Sequence, residues 1–330
     1  MVPRNKIKSG IVLIERSDGI FLGHIDKHLI IRDKRFLPLL RQLREWQNPI
    51  ELSANYGYDY REVLSVLAEL ENSDLLEVNR FALENIEIEI THMNEVGLLL
   101  ASALIEKGIT VTTRDARKSK LSDVRALFLR ISDVGQSFTE VLANQKREMI
   151  NSGSTNQLNV DLATSFGKSK ISNLEISSEN NGGYARRKIV VITAYPEPEL
   201  LAELMEAGIE HLCALATPFG AHIGPYVKPG NTPCFHCIAL HRSDNDGQWQ
   251  QVAAALFIER GERVELAHAL FTVAILEGYL HRLISGELPH DELSRSVSYS
   301  LATHGEEKHI WGFHPDCSCH WGGRLSTRVQ

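Results

Sequence analysis

Four of the five cysteines in this 330-residue chain fall in two short pairs, Cys234-x-x-Cys237 and Cys317-x-Cys319. Thiolates are soft ligands, and two such pairs bring four of them to one ion at tetrahedral geometry, each pair supplying two ligands from a single turn. Gly230 and Pro233 before the first pair, and Pro315 before the second, are turn-formers where such knuckles need them. In a reducing compartment this spacing reads as metal before disulfide, with a redox Cys-x-x-Cys as the competing chemistry. Bound to four cysteines an ion keeps no open position, so the expected cofactor is a structural zinc held by Cys234, Cys237, Cys317 and Cys319, with knuckles over 230–240 and 314–320. Cys213, inside an apolar run, reads as a buried hydrophobe and not a nucleophile. His241, Arg242, Asp244 and Asp246 follow the first pair, and His314 and His320 flank the second. They suggest either an acid/base cluster or capping and hydrogen bonding around the zinc, and the second is expected.

The frame that positions these residues is mostly α/β. From Ile86 the pattern alternates: strand Ile86–Ile90, a candidate N-cap at Thr91, helix Val96–Lys107, Gly108, then strand Ile109–Thr113. A second βαβ unit runs from strand Ile189–Thr193 through helix Pro198–Ala207 and Gly208 to strand Ile209–Leu215. A mostly parallel sheet follows from two such units. Between them the chain is rich in Ser, Asn and Gly, so a long mobile insertion is expected over about 144–188. The stretch Gln250–Ile284 reads as helical.

Ahead of that frame lie three short apolar runs, Ile11–Ile14, Ile20–Ile25 and Leu29–Ile31, separated by turn chemistry that suits an antiparallel meander. Phe36, Leu39, Leu40, Leu43 and Trp46 then recur at helical spacing, Pro49 opens a second helix, and Asp59 caps a third whose buried stripe is Val63, Leu64, Leu67 and Leu70. With a trailing strand Leu75–Val78, residues 1–85 read as a winged helix-turn-helix, and 86–330 as a second domain. Winged helices commonly bind DNA. Here the third helix region carries Asp59, Glu62, Glu69, Glu71 and Asp74 against Arg61 alone, so it would repel phosphate. Overall charge agrees: 35 Lys and Arg against 42 Asp and Glu give a net charge of −7, the wrong sign for bulk binding to nucleic acid or an anionic membrane. Apolar stretches such as Ala269–Leu276 are too short to span a bilayer, and no signal sequence is recognised, so a cytoplasmic protein is expected.

In this order, Lys120-Leu121-Ser122-Asp123-Val124-Arg125, Asp133-Val134-Gly135, Gly230-Asn231-Thr232-Pro233-Cys234-Phe235-His236-Cys237 and the late cysteine pair resemble the ThiF-like, ubiquitin-activating-like adenylating proteins over about residues 86–320. The run Cys237-Ile238-Ala239-Leu240-His241-Arg242-Ser243-Asp244, with a winged helix in front, is similar to the ThiF-like leader-binding subunits that accompany YcaO cyclodehydratases in making azoline, thiazole and oxazole peptides. The resemblance implies a winged-helix, PqqD-like recognition element, a Rossmann-type α/β domain, a ribosomal precursor-peptide leader as ligand, a YcaO-type partner and a homodimer, in the biosynthesis of peptide antibiotics.

Where an active member carries a glycine-rich turn, this chain reads Thr91-His92-Met93-Asn94-Glu95-Val96-Gly97; where the family has a phosphate-holding lysine it has Gln136-Ser137-Phe138; where the family has a magnesium carboxylate it has Thr193-Ala194-Tyr195-Pro196. Asp115 and Arg125 remain as candidate ribose and phosphate contacts. Since phosphoryl positioning is largely electrostatic, these losses lead to the expectation of a degenerate ATP site and a non-catalytic leader-binding scaffold, not an enzyme on its own; the alternative is an active ATP-dependent peptide-adenylating enzyme.

The leader is expected at the edge of the meander, where unpaired backbone groups template an added strand. His28, Leu29, Ile30, Ile31 and Arg32 alternate between core and groove in an order the sequence leaves open, and Arg61, Ser65, Ala68 and Glu69 of the third helix are expected on the opposite wall, Arg61 meeting a leader carboxylate.

Overall fold

Turn chemistry shapes the N-terminal part of the computed structural model, which describes residues 4–79, 86–126, 129–151, 186–258 and 264–319. The chain divides into two compact units, Met1–Leu83 and Glu84–Gln330. In the first, β2 (Val12–Arg16), β3 (Gly19–Gly23) and β4 (His28–Ile31) form an antiparallel sheet in the order β2-β3-β4. A side chain at Gly19 would meet the Ile31 carbonyl oxygen at 2.6 Å, so only glycine lets β3 start beside the end of β4. The helix expected from Phe36 to Trp46 is shorter, α1 (Leu37–Gln42), with a 3-10 turn before it. Asn48 caps α2 (Pro49–Tyr56), which ends at Gly57 in the left-handed conformation, and Asp59 caps α3 (Tyr60–Asn72).

Val63, Val66, Leu67 and Leu70 make the buried face of α3, while Leu64 turns outward and is 42% exposed. Leu64 sits about 100° round the helix from Val63, and Val66 takes the core position instead. The sequence pattern missed β1 (Arg4–Ile7), which pairs antiparallel with β5 (Leu76–Asn79) as a separate two-stranded ribbon. Ile7, Ile20, Leu22, Leu39, Leu40, Leu43, Leu52 and Leu70 close one core under these elements, each burial stabilising by roughly 1.5–3 kcal/mol.

The second unit is built on a seven-stranded sheet, with α-helices joining its strands. In chain order its elements are β6 (Ile86–Ile90), α4 (Glu95–Glu106), β7 (Thr110–Thr113), α5 (Phe138–Asn151), β8 (Arg187–Ile192), α6 (Pro198–Glu206), β9 (Glu210–Thr217), β10 (Gly220–Val227), α7 (Phe235–Asn245), α8 (Trp249–Ile258), α9 (Leu266–Ile284), α10 (His290–Leu293), β11 (Arg295–Ser300) and β12 (Glu306–Ile310). The strand order is β12-β11-β10-β9-β8-β6-β7. β7, β6, β8 and β9 run parallel, as the two βαβ units require, whereas β9 to β12 pair antiparallel.

That antiparallel half was not read from sequence. Residues 144–151, expected inside the insertion, continue α5, and residues 152–185 lie outside the described residues. Asn94, and not Thr91, caps α4: its Oδ1 accepts from the Gly97 N–H at 3.0 Å. No helix among the described residues is long and apolar enough to cross a membrane.

Candidate functional site

After β10 the chain turns through Lys228–Thr232, where buried Thr232 accepts from the Lys228 N–H at 2.8 Å and donates to the Tyr226 carbonyl at 3.1 Å. This turn delivers Cys234 to the N-cap position of α7 and Cys237 to its first turn. The strand pair β11–β12 then returns the chain so that Cys317 and Cys319 meet them. Sγ separations are 3.9 Å for Cys234–Cys237, 3.6 Å for Cys234–Cys317 and 3.4 Å for Cys237–Cys319, and all five cysteines are free thiols. Four sulfurs at 2.3 Å from a tetrahedral ion would stand about 3.8 Å apart. The donor set therefore fits a metal such as zinc, and does not fit disulfides, whose sulfurs are about 2 Å apart. Cys234, Cys237 and Cys317 are buried. Cys237 is held below the ordinary thiol value, chiefly because Cys234 Sγ hydrogen-bonds to it, so the cluster already favours a thiolate. The His314 backbone N–H supports the same sulfur.

His314 is buried beside the thiols. Its Nδ1 accepts from the Asp316 N–H at 3.1 Å, which leaves Nε2–H to donate to Asp244 Oδ2 at 2.9 Å. His241 Nε2–H donates to the Gly312 carbonyl at 3.1 Å, and Asp246 accepts from the Gln248 N–H. The His241 and His314 contacts tie α7 to the segment that carries the second cysteine pair, and His241, Asp244 and His314 stand close enough together to hold an ion as well. His320 lies outside the described residues. Cys213 is buried on β9, and burial pushes its thiol up to about 12, so it is no nucleophile.

The ends of β6, β7 and β8 form the second arrangement. Thr193 Oγ1 donates to the His92 carbonyl at 2.7 Å, Asn94 Nδ2 donates to the Thr193 carbonyl at 2.7 Å, and Met93 N–H donates to Asp115 at 2.8 Å. At Gly97 an added Cβ would stand 2.1 Å from the His92 carbonyl oxygen, so the last glycine of the turn still serves a close backbone approach. Arg117 forks onto Asp115; burial opposes the Asp115 charge, but this pairing and the backbone donors hold its pKa below the ordinary value. Phe138 is fully buried under the Arg117 guanidinium, and Ala194 is buried, so neither position offers a phosphate or magnesium ligand. Lys118 and Lys120 are exposed just beyond β7.

In the first unit β4 is a sheet edge. Ile31 is in the core with Leu29 packed against it, and His28 and Arg32 are exposed. Arg61, Ser65, Ala68 and Glu69 are exposed on α3, which packs on α2 and β5. No hydrogen bond or ion pair among the described residues joins these four to the β4 strand.

The fold is thus a mixed-sheet α/β unit carrying a cysteine quartet, preceded by a small α/β unit. A comparison with protein-family models finds no match, and neither does one with curated proteins. Solved structures do share the fold. E. coli MccB with ATP aligns over 96% of this chain and 99% of its own, at TM-score 0.52 and 14% identity. The microcin C7 biosynthetic enzyme MccB in complex with N-formylated MccA covers the same shares at TM-score 0.52 and 13% identity, as does E. coli MccB with selenomethionyl MccA.

These findings correct the expectation of a non-enzyme. Structures that align with 96% of this chain include one of MccB with ATP and one of a microcin C7 biosynthetic enzyme, so the three altered motif segments do not establish a non-enzyme. The physical reason is that phosphate can be held by whatever donors and cations stand near it, not by one set of side chains.

Proposed function

We propose that this chain is an ATP-dependent, ThiF-like enzyme that adenylates a carboxyl group of a ribosomally made peptide captured by its N-terminal unit. The end-to-end likeness to MccB carries the reading, because it includes structures with ATP and with MccA and takes in both units of the chain. Adenylation needs the carboxylate to attack the α-phosphate in line while pyrophosphate leaves, so the protein's part is positioning and charge stabilisation. The exposed Lys118 and Lys120 supply positive charge beside the ends of the parallel strands in place of the missing lysine.

The first unit, read as a winged-helix, PqqD-like element over about 1–85, captures the leader as a strand added to β4, through His28, Leu29, Ile30, Ile31 and Arg32, with Arg61, Ser65, Ala68 and Glu69 as further contacts. A structural zinc on Cys234, Cys237, Cys317 and Cys319 belongs to the same reading, as do a YcaO-type partner and a homodimer, which co-elution on gel filtration tests. The deciding experiment is peptide-dependent ATP–pyrophosphate exchange with a calorimetric titration of Mg-ATP. Exchange with one-site ATP binding is expected. Absence of both, with the encoded precursor peptide present, refutes the adenylating function.

A further inference from the structure

Arg242, on α7, has no part in the cysteine site, and its surroundings are unusual for a guanidinium. It lies over the rings of Trp249 and Trp311, 4.5 Å and 5.5 Å from their centroids. Trp311 is itself fixed, buried with its Nε1–H donating to Ser296 Oγ at 2.9 Å and with the His309 ring 3.9 Å away. The side chain is only partly exposed, and among the described residues no carboxylate lies within ion-pair distance of it and none of its five N–H donors is taken. The groups that feel its charge are Tyr195, Cys213 and His222. All three are neutral near pH 7: burial raises the Tyr195 hydroxyl and the Cys213 thiol, and lowers His222 to about 4. Burial also lowers Arg242 itself. A desolvated cation without a counter-charge is costly, and perturbed, desolvated charges cluster at functional sites.

The location fits a reaction centre. Tyr195 follows β8, Cys213 lies on β9 and His222 on β10, so the groups that feel the guanidinium straddle the middle of the sheet, where the parallel half meets the antiparallel half. One positive charge among neutral aromatic, thiol and imidazole groups matches a monoanion. A triphosphate would bring several negative charges to a single cation. A carboxylate takes a guanidinium fork with two parallel hydrogen bonds, which fixes its plane as well as its position.

We propose that Arg242 is the carboxylate-binding residue of this protein, holding the substrate carboxylate over the Trp249 and Trp311 rings. The identity of that carboxylate as the group to be adenylated rests on the proposed function above; the anion site itself does not.

The test uses full-length protein carrying 15N-labelled tryptophan, whose four indoles at Trp46, Trp249, Trp311 and Trp321 are assigned by Trp→Phe substitution. Acetate is the probe and acetamide its neutral isostere. Acetate is expected to shift the Trp249 and Trp311 signals saturably in the millimolar range, leaving Trp46 unmoved, and acetamide is expected to have no effect. Arg242→Gln should weaken the acetate response at least tenfold, and Arg242→Lys, which keeps the charge but not the fork, by a smaller factor. Should Arg242→Gln fail to fold, the acetate–acetamide contrast in the wild type and the Lys variant decide. No saturable shift, an undiminished response in a folded Arg242→Gln, or pyrophosphate acting at a tenfold lower concentration than acetate would each overturn the assignment. Failure of pyrophosphate exchange with a retained acetate response would remove the adenylating function and leave the site standing.

Discussion

Substituting Cys317→Ser separates a metal-held closure from mere thiol packing. The quartet ties the start of α7 to a segment 82 or 83 residues further on, through Cys237–Cys319 and Cys234–Cys317. If one ion joins them, it acts as a cross-link that closes a loop of that length, and the chain-entropy model gives about 4–5 kcal/mol for such a closure. Structural zinc binds with an apparent ~10–16 kcal/mol through four thiolates, and where the loss of one ligand releases the ion the loop closure goes with it, so the observed loss should sit near the closure value. For a unit of this size that lowers the melting temperature on the order of 10 °C. The assay is scanning calorimetry on wild type, Cys317→Ser and Cys234→Ser, with elemental analysis of protein purified without chelator. One zinc per chain is expected in the wild type and clearly less in both variants. Cys213→Ala, on β9 away from the quartet, should retain full metal content. Wild-type protein free of metal, or both serine variants melting within about 2 °C of wild type, would refute the metal closure.

Three further outcomes follow from particular contacts. Gly97→Ala places a methyl 2.1 Å from the His92 carbonyl oxygen, which cannot move without breaking the Thr193 contact, so a loss of about 3 kcal/mol or more is expected in urea denaturation. Asp74 bonds Lys8 and Lys27 and has its pKa lowered from 3.8 to about 2, chiefly by those hydrogen bonds, so its stabilising effect is complete above about pH 4 and is lost as pH falls towards 2. Asp74→Asn, which tolerates the left-handed backbone there (φ 58°), should cost under about 1 kcal/mol at pH 7 because the pair is exposed, and the difference from wild type should vanish towards pH 2; a pH-independent difference would contradict it. Ile30→Pro removes an edge N–H from β4, so leader binding measured by fluorescence polarisation should be abolished while circular dichroism shows a folded protein, and undiminished affinity would place the peptide elsewhere.

Several of the residues that determine local geometry were legible from sequence, though the cap of α4 is Asn94 and not Thr91. Asp59 before an apolar-periodic run announces α3, Pro49 and Gly57 bracket α2, and each short cysteine pair specifies its own turn, because caps and knuckles depend on neighbours a few residues away. The parallel order around β6 and β8 followed from strand–helix alternation for the same reason. Reading a non-enzyme from missing motif residues was overturned by the likeness of the fold to MccB, which is found with ATP, since a motif records only one way of holding phosphate.

Tertiary structure alone decided the long-range pairings. β1 alternates Arg4 and Lys6 with Asn5 and Ile7, and becomes a strand because β5, some seventy residues later, supplies its hydrogen bonds. β12 is exposed along its whole length and β10 is buried almost throughout, so neither shows the half-buried alternation by which a strand is recognised. The same holds for Arg242: the sequence shows it beside His241 and Asp244, a setting in which a counter-ion is expected, and only the fold turns those neighbours toward the Gly312 carbonyl and His314 and leaves the guanidinium over two indoles. A helix spreads adjacent residues about 100° apart, so which of them share a charge is set by what packs against each face and not by their order in the chain.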